Sequence, residues 1–247
     1  LLLAADGGDS AVRRRLGLGV HERTYGYDAI ISTVTAERPD VGTAFERFTD
    51  SGPLAMLPMT GGRYSVVWTA RDSDTADILA MDDKGFVHRL QQRFGYRLGR
   101  LGRPGRRIAY PLRLVLAKQL TQPRLALLGN AAHTLHPVAG QGFNLGLRDV
   151  ALLAELLAEA QRTGQDPGGN SVVNAYHKRR RPDQYSAALF TDCLARLFVN
   201  PFAPVRIARN LGMLGIDLLP TARHLLARRF MGTSGRLTRL QRGLPLG

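Results

Sequence analysis

"GNAAHTLHPVAGQGFNLGLRDV", Gly129 through Val150, contains four glycines and two histidines and no β-branched run. It separates the strand-like "RLALLG" (124–129) from the helix-like "ALLAELLAEA" (151–160). A strand-to-helix connection ordinarily needs only a few residues. This one sets Gly140, Gly142 and Gly146 at the helix entry, where a missing Cβ lets a flat or bulky group approach the main chain. The N–H groups and positive end of such a helix favour an anion or an electron-rich ring edge. The spacing G-x-G-x-x-x-G misses the dinucleotide fingerprint by one residue, and "HTLHPV" parts it from the strand. Read alone, the stretch is equally well a tight helix entry with glycines kept for packing.

The rest of the chain sets bounds on that reading. Its 247 residues suffice for one large core or two modest ones, and 44% hydrophobic with 22% charged residues is ordinary for a globular protein. No apolar run reaches membrane-span length, and "LLLAAD" is too short and lacks the basic leader of a signal peptide. The start at a leucine, mid-pattern, leads us to expect a piece of something longer. One cysteine, Cys193, excludes an internal disulfide framework, suits a reducing compartment and reads as an inert packed thiol. Thirty-four Lys+Arg against twenty Asp+Glu give a net charge of +14. The basic residues gather in "RRRLG", "RLGRLGRPGRR", "HKRRRP" and "ARRF", without interleaved aromatics. We read them first as a solvated surface and second as attraction to an anionic membrane, and expect no nucleic acid.

Along the chain, Leu1 to Ala5 reads as a buried strand, Asp6 and Gly7 as a turn, and Ser10 as the N-cap of a short helix carrying Arg13 and Arg14. From Glu22 to Thr69, β-branched and aromatic runs between turn residues, Gly61-Gly62 among them, predict a mostly antiparallel sheet. Asp72 to Met81 and Asp83 to Phe94 read as helices, "IAYPL" as a short strand and Leu125 to Leu128 as a second buried strand. The helix after the junction puts Val150, Leu153, Leu156, Leu157 and Ala160 on one face and stops near Gly164. From Ser171 the chain is helical, with Pro182 expected to kink or divide a long helix.

Two stretches together closely resemble the class A aromatic flavoprotein monooxygenases, the p-hydroxybenzoate hydroxylase-like group. "LLGNAAHTLHPVAGQGFNLGLRDV" is similar to the family's flavin-binding motif near its C-terminal half, and "AADGGDSAVR" to its Asp-Gly motif with a Ser and an Arg at fixed spacing. Within that group, "HTLHPVAGQGFNLGLRDV" and the tail "LGMLGIDLLPTARHLLARRFMG" look most like ubiquinone-biosynthesis hydroxylases of the UbiH/VisC type. The family's N-terminal G-x-G-x-x-G unit has no counterpart here, so the chain looks like the family's C-terminal portion.

The resemblance implies a mixed α/β (α+β) architecture: a partial FAD-binding three-layer fold with an inserted, mostly antiparallel substrate-domain sheet and a C-terminal helical tail. Residues 1–28 and 116–165 would belong to the FAD-binding domain, 29–115 to the substrate sheet with its helices, and 166–247 to the helical region. It implies FAD as cofactor and NADPH or NADH as reductant. Gly129 and Asn130 would approach the ribityl chain, Asn130 standing where the wider family carries Asp. Pro137 would lie against the flavin ring, and Gly140, Gln141, Gly142, Phe143 and Asn144 would offer backbone N–H groups to its pyrimidine side. The helix starting near Asn144 would stabilise the charge of reduced flavin.

Asp6, Gly7 and Arg13 match the motif tied to pyrophosphate and NAD(P)H. Read locally, Asp6 caps a turn and Arg13 is a helix-surface residue. His133 and His136 stand three apart with no acidic or thiol partner nearby, so no metal site is expected, and His136 reads as a loop-shaping residue. Tyr64, Trp68, Phe45 and Phe48 either line an apolar substrate pocket or pack a core, and no catalytic residue is named.

The implied reaction is hydroxylation of a polyprenylated methoxyphenol through a flavin hydroperoxide, by a cytoplasmic protein peripheral to the inner membrane, with a ubiquinone-biosynthesis complex as a further partner. Two alternatives stand beside it: a sister hydroxylase of the same pathway acting at another ring carbon, and a flavin-free lipid-binding or scaffold module.

Overall fold

The computed structural model describes residues 1–40, 42–231 and 237–246. In chain order, β1 (Leu2–Ala4) leads to α1 (Ala11–Arg15), followed by β2 (Val20–Ala36), β3 (Phe45–Thr49), β4 (Gly52–Pro58) and β5 (Arg63–Arg71). Helices α2 (Asp72–Ala80) and α3 (Asp83–Phe94) precede β6 (Leu101–Gly102) and β7 (Ile108–Ala117). Then come β8 (Thr121–Gln122), β9 (Leu125–Leu127), β10 (His133–Thr134) and α4 (Gln141–Arg162). Three further helices are α5 (Asn170–Val199), α6 (Ala203–Leu218) and α7 (Pro220–Phe230). The mixed α/β architecture with an inserted antiparallel sheet and a helical C-terminal region is thus present. Internal contacts divide the chain into two units, 1–23 with 113–194 and 207–247, and 24–112 with 195–206.

The second unit is built on strands whose alternate residues face one core. Ile30 of β2 lies opposite Trp68 of β5, Val34 opposite Tyr64, and Trp68 opposite Leu54 of β4, all antiparallel. These side chains are at most 1% exposed, and Ile78, Phe86 and Leu90 of α2 and α3 join the same cluster. Each such burial contributes roughly 1.5–3 kcal/mol. Gly61 and Gly62, at φ 70° and 68°, make the turn between β4 and β5 where L-residues are strained. The sheet order is β10-β7-β2-β5-β4-β3, with β6 beside β2. Strand β7 runs well past the expected "IAYPL".

The first unit contains a small sheet of order β1-β9-β8. β1 and β9 are parallel, Leu2 opposite Leu125 and Ala4 opposite Leu127, and the Leu128 N–H donates to the Ala4 carbonyl at 2.9 Å. β9 is buried throughout, as expected, but β1 is not: Leu2 is 53% exposed and only Ala4 is covered. Among the described residues β1 has a single strand neighbour, β9, so its leucines gain little cover.

Helix α4 starts at Gln141, a turn earlier than expected, and its buried face is Leu145, Asp149, Leu152, Leu153 and Ala160. Leu153 and Ala160 are buried and Leu156 and Leu157 pack against the same core, as expected, whereas Val150 is 55% exposed and lies off that face. The chain leaves α4 through Gly164 at φ 66°, as the sequence indicates. α5 runs unbroken through Pro182. Tyr176 and Arg180 before the proline and Gln184 after it are all anchored by hydrogen bonds, which offset the one the proline ring removes. Cys193 is exposed rather than packed.

Candidate functional site

The two glycine-bearing motifs emerge from the C-terminal ends of β1 and β9, two adjacent parallel strands. Open α/β sheets bind ligands in that position. In the first motif, Ser10 caps α1 by accepting the Arg13 N–H at 3.0 Å, and Asp6 Oδ2 accepts the Val12 N–H at 3.1 Å. Bonds from the Ser10 hydroxyl and the Val12 N–H hold the Asp6 carboxyl below its usual range. Arg13 departs from the local reading. It is 6% exposed, not a surface residue, and its guanidinium donates at 2.7 Å to the carbonyls of Gly8 and of Ala131. One buried side chain therefore ties the first motif to the second.

The second motif begins with a 3-10 turn over Gly129–Ala131 and a further one over Val138–Gly140, leading into α4. Gly129 and Gly140 have φ of 54° and 60°, left-handed values that only glycine adopts without strain. Gly142 is different. It lies in the first turn of α4 with ordinary helical geometry, and a Cβ built on it meets no atom within 4 Å. Neither backbone conformation nor packing within this chain asks for glycine there. Gly7, Gly129 and Gly140 likewise face open space. α4 has no side-chain cap and no acidic residue in its first turn, so its positive end is not offset locally.

The other expected residues divide by exposure. Asn130, Pro137, Gly140 and Phe143 are exposed, with Phe143 at 75%, while Gly7, Gly129, Gly142 and Asn144 are half-buried and Asp6 is exposed. Gln141 is buried. This open, glycine-lined surface over an uncapped helix end fits a flat, anion-bearing group such as a flavin nucleotide.

Beneath that surface lies a network the sequence reading missed. Asp149 is fully buried on the apolar face of α4, and its carboxylate accepts four hydrogen bonds. Oδ2 takes the Gly129 N–H at 3.0 Å and pairs with His133 Nε2 at 2.7 Å. Oδ1 takes Arg180 Nε at 2.6 Å and Gln184 Nε2 at 3.1 Å. Burial pushes the Asp149 carboxyl up, but His133 and Arg180 outweigh it and hold it below the usual carboxylate range. Arg180 Nη2 also donates to the Leu145 carbonyl at 3.2 Å. The signal in sequence was an acidic residue four positions after Leu145 on the apolar stripe, where a charge needs a buried partner.

His133 is thus a buried hydrogen-bond partner of Asp149. His136 Nδ1 accepts the Val138 N–H at 3.2 Å, and burial lowers its pKa to about 4 despite the opposing influence of Asp192. It shapes the loop as a neutral ring. Tyr64 and Trp68 are core residues of the second unit. Phe45 meets Phe94 edge-on at 6.1 Å, and Phe48 stacks on Phe198 at 3.5 Å, so packing accounts for all four aromatics.

Comparison with known proteins agrees with this geometry. The family model described as FAD binding domain matches residues 1–190. The chain is 45% identical over 249 residues to the ubiquinone hydroxylase UbiL of Rhodospirillum rubrum, covering all of this chain and 58% of that protein. It is 35% identical over 217 residues to the 3-demethoxyubiquinol 3-hydroxylase of Escherichia coli, covering 88% of this chain and 55% of that one. The crystal structure of p-nitrophenol 4-monooxygenase from Pseudomonas putida superposes with a TM-score of 0.73 at 20% identity, covering 95% of this chain and 60% of that chain, which shows a shared fold. The chain spans a little over half the length of the curated relatives it matches. By the match over residues 1–190, the chain belongs to the FAD binding domain family.

Proposed function

We propose that this chain is the site-bearing part of an FAD- and NAD(P)H-dependent aromatic-ring monooxygenase that hydroxylates a polyprenylated phenol in ubiquinone biosynthesis. The observation that carries the reading is Gly142, a helical glycine whose missing side chain leaves open space at an uncapped helix end. Relatives named as ubiquinone-pathway hydroxylases support the substrate class.

Bound FAD would supply the redox chemistry, accepting hydride from the nicotinamide and activating dioxygen. The chain's residues would do the positioning. Gly129 and Asn130 would hold the ribityl chain, and Pro137 would bear on the ring. The N–H groups from Gly140 to Asn144 would meet the pyrimidine edge, where the positive end of α4 favours the anionic reduced form. Asp6, Gly7 and Arg13 would serve the pyrophosphate side, Arg13 by holding the Gly8 and Ala131 carbonyls rather than by reaching out.

A substrate with a bilayer-resident tail is met at a membrane surface. We accordingly infer a peripheral position on the cytoplasmic face of the inner membrane, favoured by the net charge of +14, and membership of a ubiquinone-biosynthesis complex. No helix among the described residues is long and apolar enough to cross a membrane.

Gly142→Ala and Gly142→Val test the site. Alanine should raise the stability of the flavin-free chain, by up to about 1 kcal/mol, because it replaces glycine in a helix without a clash. Both should weaken FAD binding, valine by roughly tenfold or more (about 1.4 kcal/mol) through lost approach to the main chain. Quenching of FAD fluorescence on titration reads the affinity. Undiminished binding by the valine variant would place the flavin elsewhere.

A further inference from the structure

α6 shows its apolar side to solvent. Ile207, Leu211, Leu214 and Leu218 recur at helical spacing along one stripe and are 61%, 63%, 54% and 69% exposed. Val205, Arg209 and Ile216, on the opposite side of the helix, are half-buried with Gly215, and no α6 residue is buried. The helix therefore lies on the molecule by one side while its leucine-rich side is uncovered. Leu225 of α7 is likewise 63% exposed. Solvated helices ordinarily carry the reverse pattern.

The charge beside the stripe is one-sided. Between residues 200 and 228, Arg206, Arg223 and Arg228 are exposed, with Arg209 on the half-buried side of α6, against one acidic residue, Asp217. We propose that the outward face of α6, together with the exposed Leu225 of α7, is a docking surface for an anionic lipid bilayer, lying in the plane of the interface with its leucines among the acyl chains and Arg206 and Arg223 at the headgroups. The proposal rests on the membrane-contact reading above and names the surface that makes the contact.

Three observations favour a bilayer over other occupants. The segment is amphipathic with arginines at its borders, the composition of interfacial helices, and it is too short and too polar to span. Acidic headgroups complement the arginines, with a gain of about 1 kcal/mol per residue near the surface. A second copy of this chain on the same face would bring like arginine clusters together, with only Asp217 on each side to answer them.

The test is co-sedimentation of the chain with vesicles of phosphatidylcholine alone and with added phosphatidylglycerol. Two double variants are compared with it: Leu211→Asn with Leu214→Asn, and Arg206→Glu with Arg223→Glu. All four positions are exposed, so circular dichroism and the melting temperature should stay unchanged. We expect binding to anionic vesicles that weakens with salt and falls roughly tenfold or more in each variant. Leu214→Trp should in addition give a blue-shifted emission on vesicle binding, since the single native tryptophan, Trp68, is already buried and silent to lipid.

Vesicle binding that both variants retain in full would overturn the α6 surface while leaving the membrane-contact reading intact. Absence of binding by the parent chain would overturn both. A parent chain that is dimeric by light scattering, and becomes monomeric in the asparagine variant without losing vesicle binding, would make a second copy the occupant and overturn the proposal.

Discussion

Asp149 is the residue on which the site turns. Its four hydrogen bonds come from the turn at Gly129, the loop at His133 and two residues of α5, so one carboxylate fixes the backbone of the second motif against two helices. Removing it takes from the Arg180 guanidinium, which is 5% exposed, one of its two carboxylate partners and leaves Asp183 alone to answer the charge. Breaking a buried ion pair from one side costs about 3–5 kcal/mol. Asp149→Ala should lower unfolding free energy by that amount in urea titration, and a loss below about 1 kcal/mol would show the network to be dispensable.

His136 gives a pH signature of opposite chemical origin. Its folded pKa of about 4 lies below the ordinary 6.5 because the buried ring resists charging. Below pH 6.5 the unfolded chain takes up a proton that the native ring refuses, so stability is lost as pH falls toward 4. The span of that shift corresponds to on the order of 3 kcal/mol. Denaturation at a series of pH values should show the decline, and His136→Asn, which keeps an acceptor for the Val138 N–H, should flatten it. An unaltered slope in that variant would assign the decline to other groups.

At the scale of elements, α1 is a five-residue helix that depends on its start. Ser10 accepts the Arg13 N–H and thereby sets the direction of the side chain that joins the two motifs. Ser10→Ala should cost about 1 kcal/mol in thermal or urea unfolding and Ser10→Gly only a few tenths, because glycine retains the backbone geometry of a cap. Equal losses in the two would mean the hydroxyl serves something other than the cap.

Element types were legible where local chemistry decides them. The Ser10 cap, the Gly61-Gly62 turn, the start of α3 at Asp83 and the exit of α4 at Gly164 all follow from residues within a turn of the boundary. Burial was less legible, because it depends on neighbours distant in sequence. β1 has the composition of a buried strand but, among the described residues, a single strand neighbour, and at the edge of the α4 face Asp149 rather than Val150 points inward. Pro182 does not divide α5 for the same reason: anchors on both sides of it come from another element.

For the whole molecule, the family was readable from two short motifs, and the match over residues 1–190 supports it. What no motif spelled out was the wiring between them. The glycines advertise the surface, whereas Arg13, Asp149, His133 and Arg180, which hold that surface in place, look individually like a helix-surface arginine, a helical acid, half of a histidine pair and one of a run of arginines. Buried polar partnerships carry no periodic signature, so pattern reading finds the binding face before it finds its support.

The Arg13 clip also constrains the order of assembly. Its two carbonyl partners lie 5 and 118 positions away, so the second bond cannot form until a very long stretch of chain has doubled back. Closing a flexible loop of that size costs about 4 kcal/mol in chain entropy, whereas the hairpins β3–β4 and β4–β5 close over short separations. If those hairpins form early they shorten the tether, and the glycine-lined surface proposed for the cofactor then becomes the last region to organise during refolding.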